Sequence, residues 1–305
     1  MEKYRAKLAK ILAASGWSQE NLADKLAVTF VTLNKWVNGK AEPRAGARER
    51  IEVLFAEILG TDDIASKDVL LTKQTALTRK FGVNKLLGNR AVLDRITVNL
   101  TYHSNGTEGS TMTEKDVEAV LFDNKVLRNR TTVEQREAVN HQAALNFLLD
   151  ELKTQGKKFT FTADLLKTVH LRLMNGIISN AGEYRNHGAR IRGAFIPLAN
   201  YIKISKLIKV WCAMVNVETE DPIRLLAVSH AEFERIHPFS DGNGRTGRLL
   251  LFIKALHLGL APPVINKERR SAYYKYLEIC QTRELSEPLE KFIAEAIIRT
   301  SNLLE

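Results

Sequence analysis

His237-Pro238-Phe239-Ser240-Asp241-Gly242-Asn243-Gly244-Arg245-Thr246-Gly247-Arg248 is the stretch on which the reading of this 305-residue chain turns. The run before it, Asp221 to Ile236, carries Ile223, Leu226, Ala227, Phe233 and Ile236 at helical spacing. Asp221 suits an N-cap and Pro222 the first helical position. That helix is expected to stop at His237, because the residue before a proline is driven out of the right-handed helical region. Asp241 to Gly244 reads as a turn, and Leu249 to Leu256 as a buried helix. The motif is therefore helix, tight loop, helix start.

Those residue types imply chemistry. The glycines let the backbone approach a ligand and aim N–H groups at it. A helix N-terminus favours an anion. Arg245 and Arg248, three apart, share a face of the first turn, and guanidinium forks match phosphate oxygens. Asp241 is a hard oxygen ligand that suits Mg²⁺. His237 titrates where a general base is useful. Gly242-x-Gly244-x-x-Gly247 also matches the dinucleotide-binding glycine pattern, but that pattern needs a preceding strand, and an amphipathic helix precedes it here. Polyphosphate, metal and base together indicate phosphoryl or nucleotidyl transfer.

The twelve residues resemble the Fic signature, H-x-F-x-[DE]-G-N-G-R-x-x-R, at every fixed position. The resemblance implies a helical Fic fold and a protein adenylyltransferase that moves AMP from ATP to a Ser, Thr or Tyr hydroxyl of a target protein, or of itself. It implies that His237 is the catalytic base and Asp241 the Mg²⁺ ligand. Gly242, Asn243 and Gly244 would cradle the phosphates within a nucleotide-binding set that includes Gly247. Arg245 and Arg248 would take the outer phosphates, and Phe239 would anchor the loop. Further on, Lys267 to Leu277 resembles the helix that closes the nucleotide pocket, with Tyr273 or Tyr274 on adenine or ribose and Gln281 near the base. Core packing is an equal reading of each tyrosine.

Upstream, Ser104-Asn105-Gly106-Thr107-Glu108-Gly109 resembles the family's inhibitory motif, [ST]-x-x-x-E-[GN]. The resemblance implies an inhibitory helix near 96–108, with Ser104 and Glu108 regulatory and Glu108 paired to Arg248 in the space of the γ-phosphate. Thr107 stands where an apolar residue is common. Gly106 lies inside the helix, from which a loosely held helix is expected. Ala189 to Pro197 alternates around a central glycine and reads as a β-hairpin flap that pairs with a target backbone. His170 and His230 are read as packed histidines.

The first sixty residues read as a separate helical unit. Trp17 to Ala23, Val28-Thr29 and Trp36-x-Asn38-Gly39-Lys40 are similar to the repressor-type helix-turn-helix family. The third helix would then be the recognition helix, with Thr29, Phe30, Val31 and Asn34 facing base edges, and Gln19 and Lys40 meeting phosphate. Ala27 occupies a turn position where glycine is usual. Residues 1–60 hold ten Lys/Arg and seven Asp/Glu, a net of +3, which is modest for a DNA binder. Double-stranded DNA is the partner this resemblance implies, and if DNA is the ligand a homodimer reading two half-sites is expected; use of the fold for dimerisation or target recognition stays open.

The expected organisation is a helix-turn-helix domain over 1–60, a linker with one short helix over 61–82, and a Fic core over 83–305; the fold class is mainly α with the small hairpin. The chain's net charge of +10 favours anionic partners. No apolar run suits a membrane span and no signal peptide is evident, so a cytoplasmic protein without a membrane partner is expected. Cys212 and Cys280 fit no metal spacing and are read as thiols. Three other readings stay open: a DNA-bound regulator whose Fic core senses nucleotide, a Fic enzyme with another nucleotide donor, and one in which removal of AMP dominates.

Overall fold

The computed structural model describes residues 2–59, 66–123, 125–190 and 197–304. The described residues are mainly α-helical, and the one β pairing among them is an isolated antiparallel bridge between Lys80 and Leu260. The hairpin expected over Ala189 to Pro197 falls largely on residues 191–196, outside the described residues.

Two compact units divide the chain. One comprises Met1–Asp68 with Glu268–Tyr276, the other Val69–Lys267 with Leu277–Glu305. The first contains α1 (Glu2–Ser15), α2 (Gln19–Lys25), α3 (Phe30–Val37) and α4 (Ala45–Leu59). Ser18 and Thr29 cap α2 and α3, each accepting from the N–H three residues on. Leu8, Ile11, Leu22, Leu26, Leu33 and Ile51 are fully buried and form its core. Ala27 turns the chain between α2 and α3 with φ 49°, a left-handed alanine where glycine would be unstrained. Arg50 Nε donates to the neighbouring Leu26 carbonyl at 2.7 Å and fastens that turn. Arg269 pairs with Glu49 at 3.6 Å, so residues 268–276, expected in the core domain, are compact with the first sixty.

α5 (Ser66–Leu77) begins the stretch expected as a linker. From Val69 on, the 61–82 stretch is not a free connection: Val69, Ala76 and the following Phe81 are buried. Phe81 N–H donates to Gly259, and Ala261 N–H to Arg79. Apolar side chains in a polar run were enough to dock it. Lys73 Nζ also binds Asp221 at 2.6 Å and Glu290. After it come α6 (Val83–Leu87), α7 (Arg90–Thr107), α8 (Glu114–Phe122), α9 (Thr132–Gln155), α10 (Ala163–Met174), α11 (Ile204–Val215), α12 (Pro222–Ile236), α13 (Asn243–His257), α14 (Arg270–Arg283) and α15 (Glu287–Leu304). α12 packs on α11, α13 and α15, and α9 packs on α7, α8, α10 and α13. Leu226, Ala227, Phe233 and Ile236 of α12 and Leu249, Phe252 and Ile253 of α13 lie in the core. No helix of the described residues is long and apolar enough to cross a membrane.

Candidate active site

α12 starts as its sequence dictates: the Asp221 carboxylate accepts the Arg224 N–H at 3.1 Å, and Pro222 takes the first turn. It ends at His237, whose φ of 48° and ψ of 61° are left-handed. Pro238 excludes the helical conformation there. The turn aims the imidazole back along the helix, where Nδ1 lies 3.3 Å from the Glu234 carbonyl. A carbonyl only accepts, so Nδ1 carries the proton and Nε2 keeps its lone pair. Burial, against the opposing pull of that carbonyl, moves the His237 pKa below its usual value and keeps the ring neutral.

The loop is fixed from inside. Asn243 closes it with two bonds to one residue: its Oδ1 accepts Phe239 N–H and its Nδ2 donates to Phe239 O, both 2.9 Å. The Asn243 side chain, expected to cradle phosphate, is thus consumed by the loop, leaving only its backbone N–H for that role. Phe239 is fully buried and stacks on His170 with ring centroids 3.7 Å apart. His170 Nδ1 accepts Gly182 N–H at 2.9 Å, so Nε2 bears the proton and donates to Asp241 O at 2.8 Å. Burial lowers its pKa to about 4. The packed reading of His170 holds, and the ring also positions the loop.

Arg185, which the sequence reading passed over, has the largest part in this. Its buried guanidinium donates to His237 O at 2.7 Å, His187 O at 2.6 Å and Ala199 O at 2.5 Å. Its own N–H binds Pro238 O at 2.9 Å. An isolated arginine between a tyrosine and an asparagine gives no local signal of such a role. Ser240 is held by Asn180 and His187, at 2.7 and 3.2 Å.

α13 opens at Gly242, left-handed at φ 74°, with no side chain capping it. A Cβ on Gly242 would stand 2.6 Å from Met174 Sδ, so glycine is required twice over. The first N–H groups of a helix lack intrahelical partners, and here they open beside His237. Asp241 is exposed at 62% of its side chain. Arg245 is buried and pairs with Glu137 of α9 at 2.5 Å. Arg248 is also buried and donates through Nη2 to Glu108 Oε1 at 2.6 Å and Ser104 O at 2.9 Å, and through Nε to Ser104 Oγ at 3.1 Å. A Cβ on Gly244 would collide with the Glu108 carboxylate. Glu108 therefore lies over Gly244 and Arg248, on the anion-favouring end of α13.

α7 brings Ser104 and Glu108 to that point. Its last turn is buried from His103 to Thr107. A Cβ on Gly106 would be 2.5 Å from Lys267 Cδ, and Lys267 Nζ stands 4.0 Å over the Tyr102 ring. The expectation of a loosely held helix is corrected: Gly106 is a notch that lets the Lys267 stem pack down, and packing outweighs its poor helix propensity.

A model of the Fic/DOC family matches residues 160–253, and one described as helix-turn-helix matches residues 8–47. The protein adenylyltransferase Fic of Culex quinquefasciatus is 31% identical over 206 residues, covering 66% of this chain and 40% of that protein. The chain contains a Fic domain. It carries an N-terminal helix-turn-helix and spans about 40% of the length of the curated relatives it matches. The Fic enzyme of Aedes aegypti is 29% identical over 204 residues, again 66% of this chain and 40% of the relative. Among solved structures, Fic-1 from C. elegans aligns with TM-score 0.66 at 20% identity, covering 98% of this chain and 96% of that one. A Fic domain containing signaling protein from Bacteroides thetaiotaomicron aligns with TM-score 0.64 at 22% identity, covering 78% and 95%. These likenesses establish a mainly helical Fic fold.

Within the Fic unit the structure brings together His237, Asp241, Gly242, Asn243, Gly244, Arg245, Gly247 and Arg248 of the signature with Ser104 and Glu108. Gly247 packs against Phe233 and Glu234 of α12, so it serves the helix contact. His230 is buried, as read; burial lowers its pKa to about 3. Gln281 donates to the Ala231 carbonyl at 2.8 Å, which occupies its amide nitrogen. Tyr273 is buried and Tyr274 partly exposed, their rings 5.2 Å apart on α14. In the helix-turn-helix, Phe30 and Val31 are 43% and 61% exposed at the start of α3. Thr29 caps that helix, and Asn34 Nδ2 donates to Gln19 Oε1 at 3.3 Å.

Proposed function

We propose that this Fic protein is a Mg²⁺-dependent adenylyltransferase that transfers AMP from ATP to a hydroxyl side chain of a protein and is restrained by Glu108. The observation that carries the reading is the neutral His237 beside the open end of α13, with Arg248 buried and held by Glu108.

His237 Nε2 takes the proton of the target hydroxyl as its oxygen attacks the α-phosphorus. The bond from that phosphorus to the bridging oxygen breaks, and pyrophosphate leaves. The Asn243–Arg245 backbone N–H groups and the α13 dipole stabilise charge on the phosphates, while the Gly242 N–H, expected in that cradle, donates to Asp241 Oδ1 at 2.6 Å. Arg245 and Arg248 hold the outer ones. The exposed Asp241 carboxylate, whose Oδ1 accepts Gly242 N–H at 2.6 Å and lies 3.7 Å from Arg245, would hold Mg²⁺ through Oδ2, since that ion needs few protein ligands and keeps its waters, whereas Glu137 is held closely by Arg245. When bound, Mg²⁺ offsets the charge that grows on the departing pyrophosphate. With Glu108 on Arg248, the outer phosphate loses its guanidinium and ATP is held unproductively.

The test uses ATP labelled at the α-phosphate with wild type, Glu108→Gly and His237→Ala in the Glu108→Gly background. Label on protein in Glu108→Gly that vanishes with His237→Ala supports the reading. No label on any protein, with ATP bound, would move the assignment to another donor or to a nucleotide sensor.

For the other unit we propose a DNA-binding domain over residues 1–60 that acts as a homodimer in the cytoplasm, with Thr29, Phe30, Val31 and Asn34 at base edges and Gln19 and Lys40 at phosphate. The exposed Phe30 and Val31 at the start of α3 favour it. Loss of duplex retardation by the full chain on Phe30→Ala/Val31→Ala is the expected result; retention would refute it.

A further inference from the structure

Glu234 belongs to no motif, yet it is the most unusual carboxyl in the Fic unit. It lies on α12 one turn before His237, and its backbone carbonyl receives the His237 Nδ1 proton. Its side chain turns inward to α13 and is 7% exposed. A Cβ on Gly247 would collide with Oε1, so the carboxyl fills the notch that this glycine leaves. Oε1 is buried and has no hydrogen-bond partner among the described residues. A buried ionised carboxylate without partners is costly.

Charged and titratable groups face it from three helices. Arg248 comes from α13, Glu108 from α7, and His230 and His237 flank it on α12, one turn to either side. Both histidines are held neutral by burial. The balance is thus two carboxyls around one guanidinium. Glu108 holds the direct bond to Arg248, so Glu234 is the carboxyl left over, and burial first, with the Glu108 charge adding to it, pushes its pKa up to about 7 against the attraction of Arg248.

We propose that Glu234 is a positioning residue that acts through Arg248: its carboxyl carries a proton while an anion occupies Arg248, whether Glu108 or a phosphate, and gives that proton to solvent to become the Arg248 counter-ion when neither is there. The inference rests on the nucleotide-binding reading of Arg248. Removing Glu108 takes away a repulsion, so Glu234 ionises more readily and neutralises the guanidinium. An arriving phosphate restores the repulsion, and one proton moves from water to a Glu234 oxygen. Nothing is oxidised or reduced. The triphosphate then pairs with Arg248 while Glu234 is neutral, and the position of that side chain is set by which carboxyl holds the proton.

The test is calorimetry of a non-hydrolysable ATP analogue with Mg²⁺ and full-length Glu108→Gly at about pH 6, below the Glu234 pKa of about 7 in the anion-occupied state, in buffers of low and high ionisation enthalpy. The expected result is uptake of close to one proton per nucleotide, absent when Glu234→Gln is added. The Kd should rise by up to about tenfold per pH unit as pH climbs toward about 7 and level off above it, and Glu234→Gln should flatten that slope. Glu234→Met, apolar and of similar size, must also abolish uptake, which separates the charge from the shape. Equal uptake with and without Glu234→Gln would overturn the proposal and assign the proton to a histidine. Binding with no uptake in Glu108→Gly would overturn the proposal alone. No binding at any pH would take the nucleotide reading down with it.

Discussion

Arg185→Met removes the clamp on the loop without leaving a void, since methionine follows the arginine stem. Three carbonyls lose a guanidinium partner within 2.7 Å: His237 O, His187 O and Ala199 O. A hydrogen bond to a charged group contributes about 1.5–3 kcal/mol, so the ceiling is roughly 5–9 kcal/mol. Such bonds do not add, and freed carbonyls recover part of their solvation, so the expected net loss is about 3–4 kcal/mol. Trp211, buried with its indole N–H on Ser229 O at 2.7 Å, reports the Fic unit in urea. Trp17 and Trp36 lie in the other unit and are replaced by phenylalanine for the assay. A second signature concerns the base. Burial is the main cause of the low His237 pKa, and the Arg185 charge adds to it. Without that charge the His237 pKa rises, the ring stays protonated to higher pH, and the acid limb of label transfer in the Glu108→Gly background moves upward. A stability loss under about 1 kcal/mol, or an acid limb that stays put or moves down, would refute the clamp.

Other outcomes follow from the same contacts. Asn243→Ala strands two buried backbone groups of Phe239 and should cost about 2–4 kcal/mol in urea unfolding, with transfer lost alongside. Ala27→Gly relieves a left-handed alanine and should raise the stability of the helix-turn-helix by about 1 kcal/mol, read through Trp17 and Trp36 in a Trp211→Phe chain. Gly106→Ala drives a methyl against the Lys267 stem; if the inhibitory helix loosens by about 1 kcal/mol, auto-labelling of the otherwise native chain rises roughly fivefold, and Lys267→Ala in addition should reverse it. For Glu134, burial opposes ionisation, but bonds from Thr111 and Thr131 outweigh it and lower the pKa from 4.5 to about 2. Its contribution is complete above about 4.5 and is lost as pH falls through about 2, so the stability gap between wild type and Glu134→Gln should close over that window.

What was legible in the sequence was what is local. Asp221-Pro222 at one end of α12 and His237-Pro238 at the other fix the helix limits through capping and ring sterics. Gly242 declares a left-handed turn, and Phe239 its own burial. The pairing of Glu108 with Arg248 followed from a resemblance, and the two are in contact across 140 positions of chain. What escaped was long-range and polar. Arg185 meets the loop 52 residues later, Glu137 meets Arg245 at a separation of 108, and neither has neighbours that announce a partner. Gly106 misled because propensity counts the cost of a missing side chain and not the space it frees for Lys267. Residues 69–82 misled in the other direction, since a few apolar side chains among polar ones suffice to dock α5 when Lys73 finds two carboxylates.

Lys73 has one more implication. It grips Asp221, the N-cap of α12, while Arg185 grips His237, the C-cap. His237, the base of the proposed reaction, thus stands at the end of a beam fastened at both ends, and Glu108 reaches Arg248 by one side chain from the end of another helix. Tuning and chemistry are carried by separate parts. If Glu108 restrains the proposed reaction, substitutions around its one side chain would reset that restraint and leave the beam and its histidine untouched.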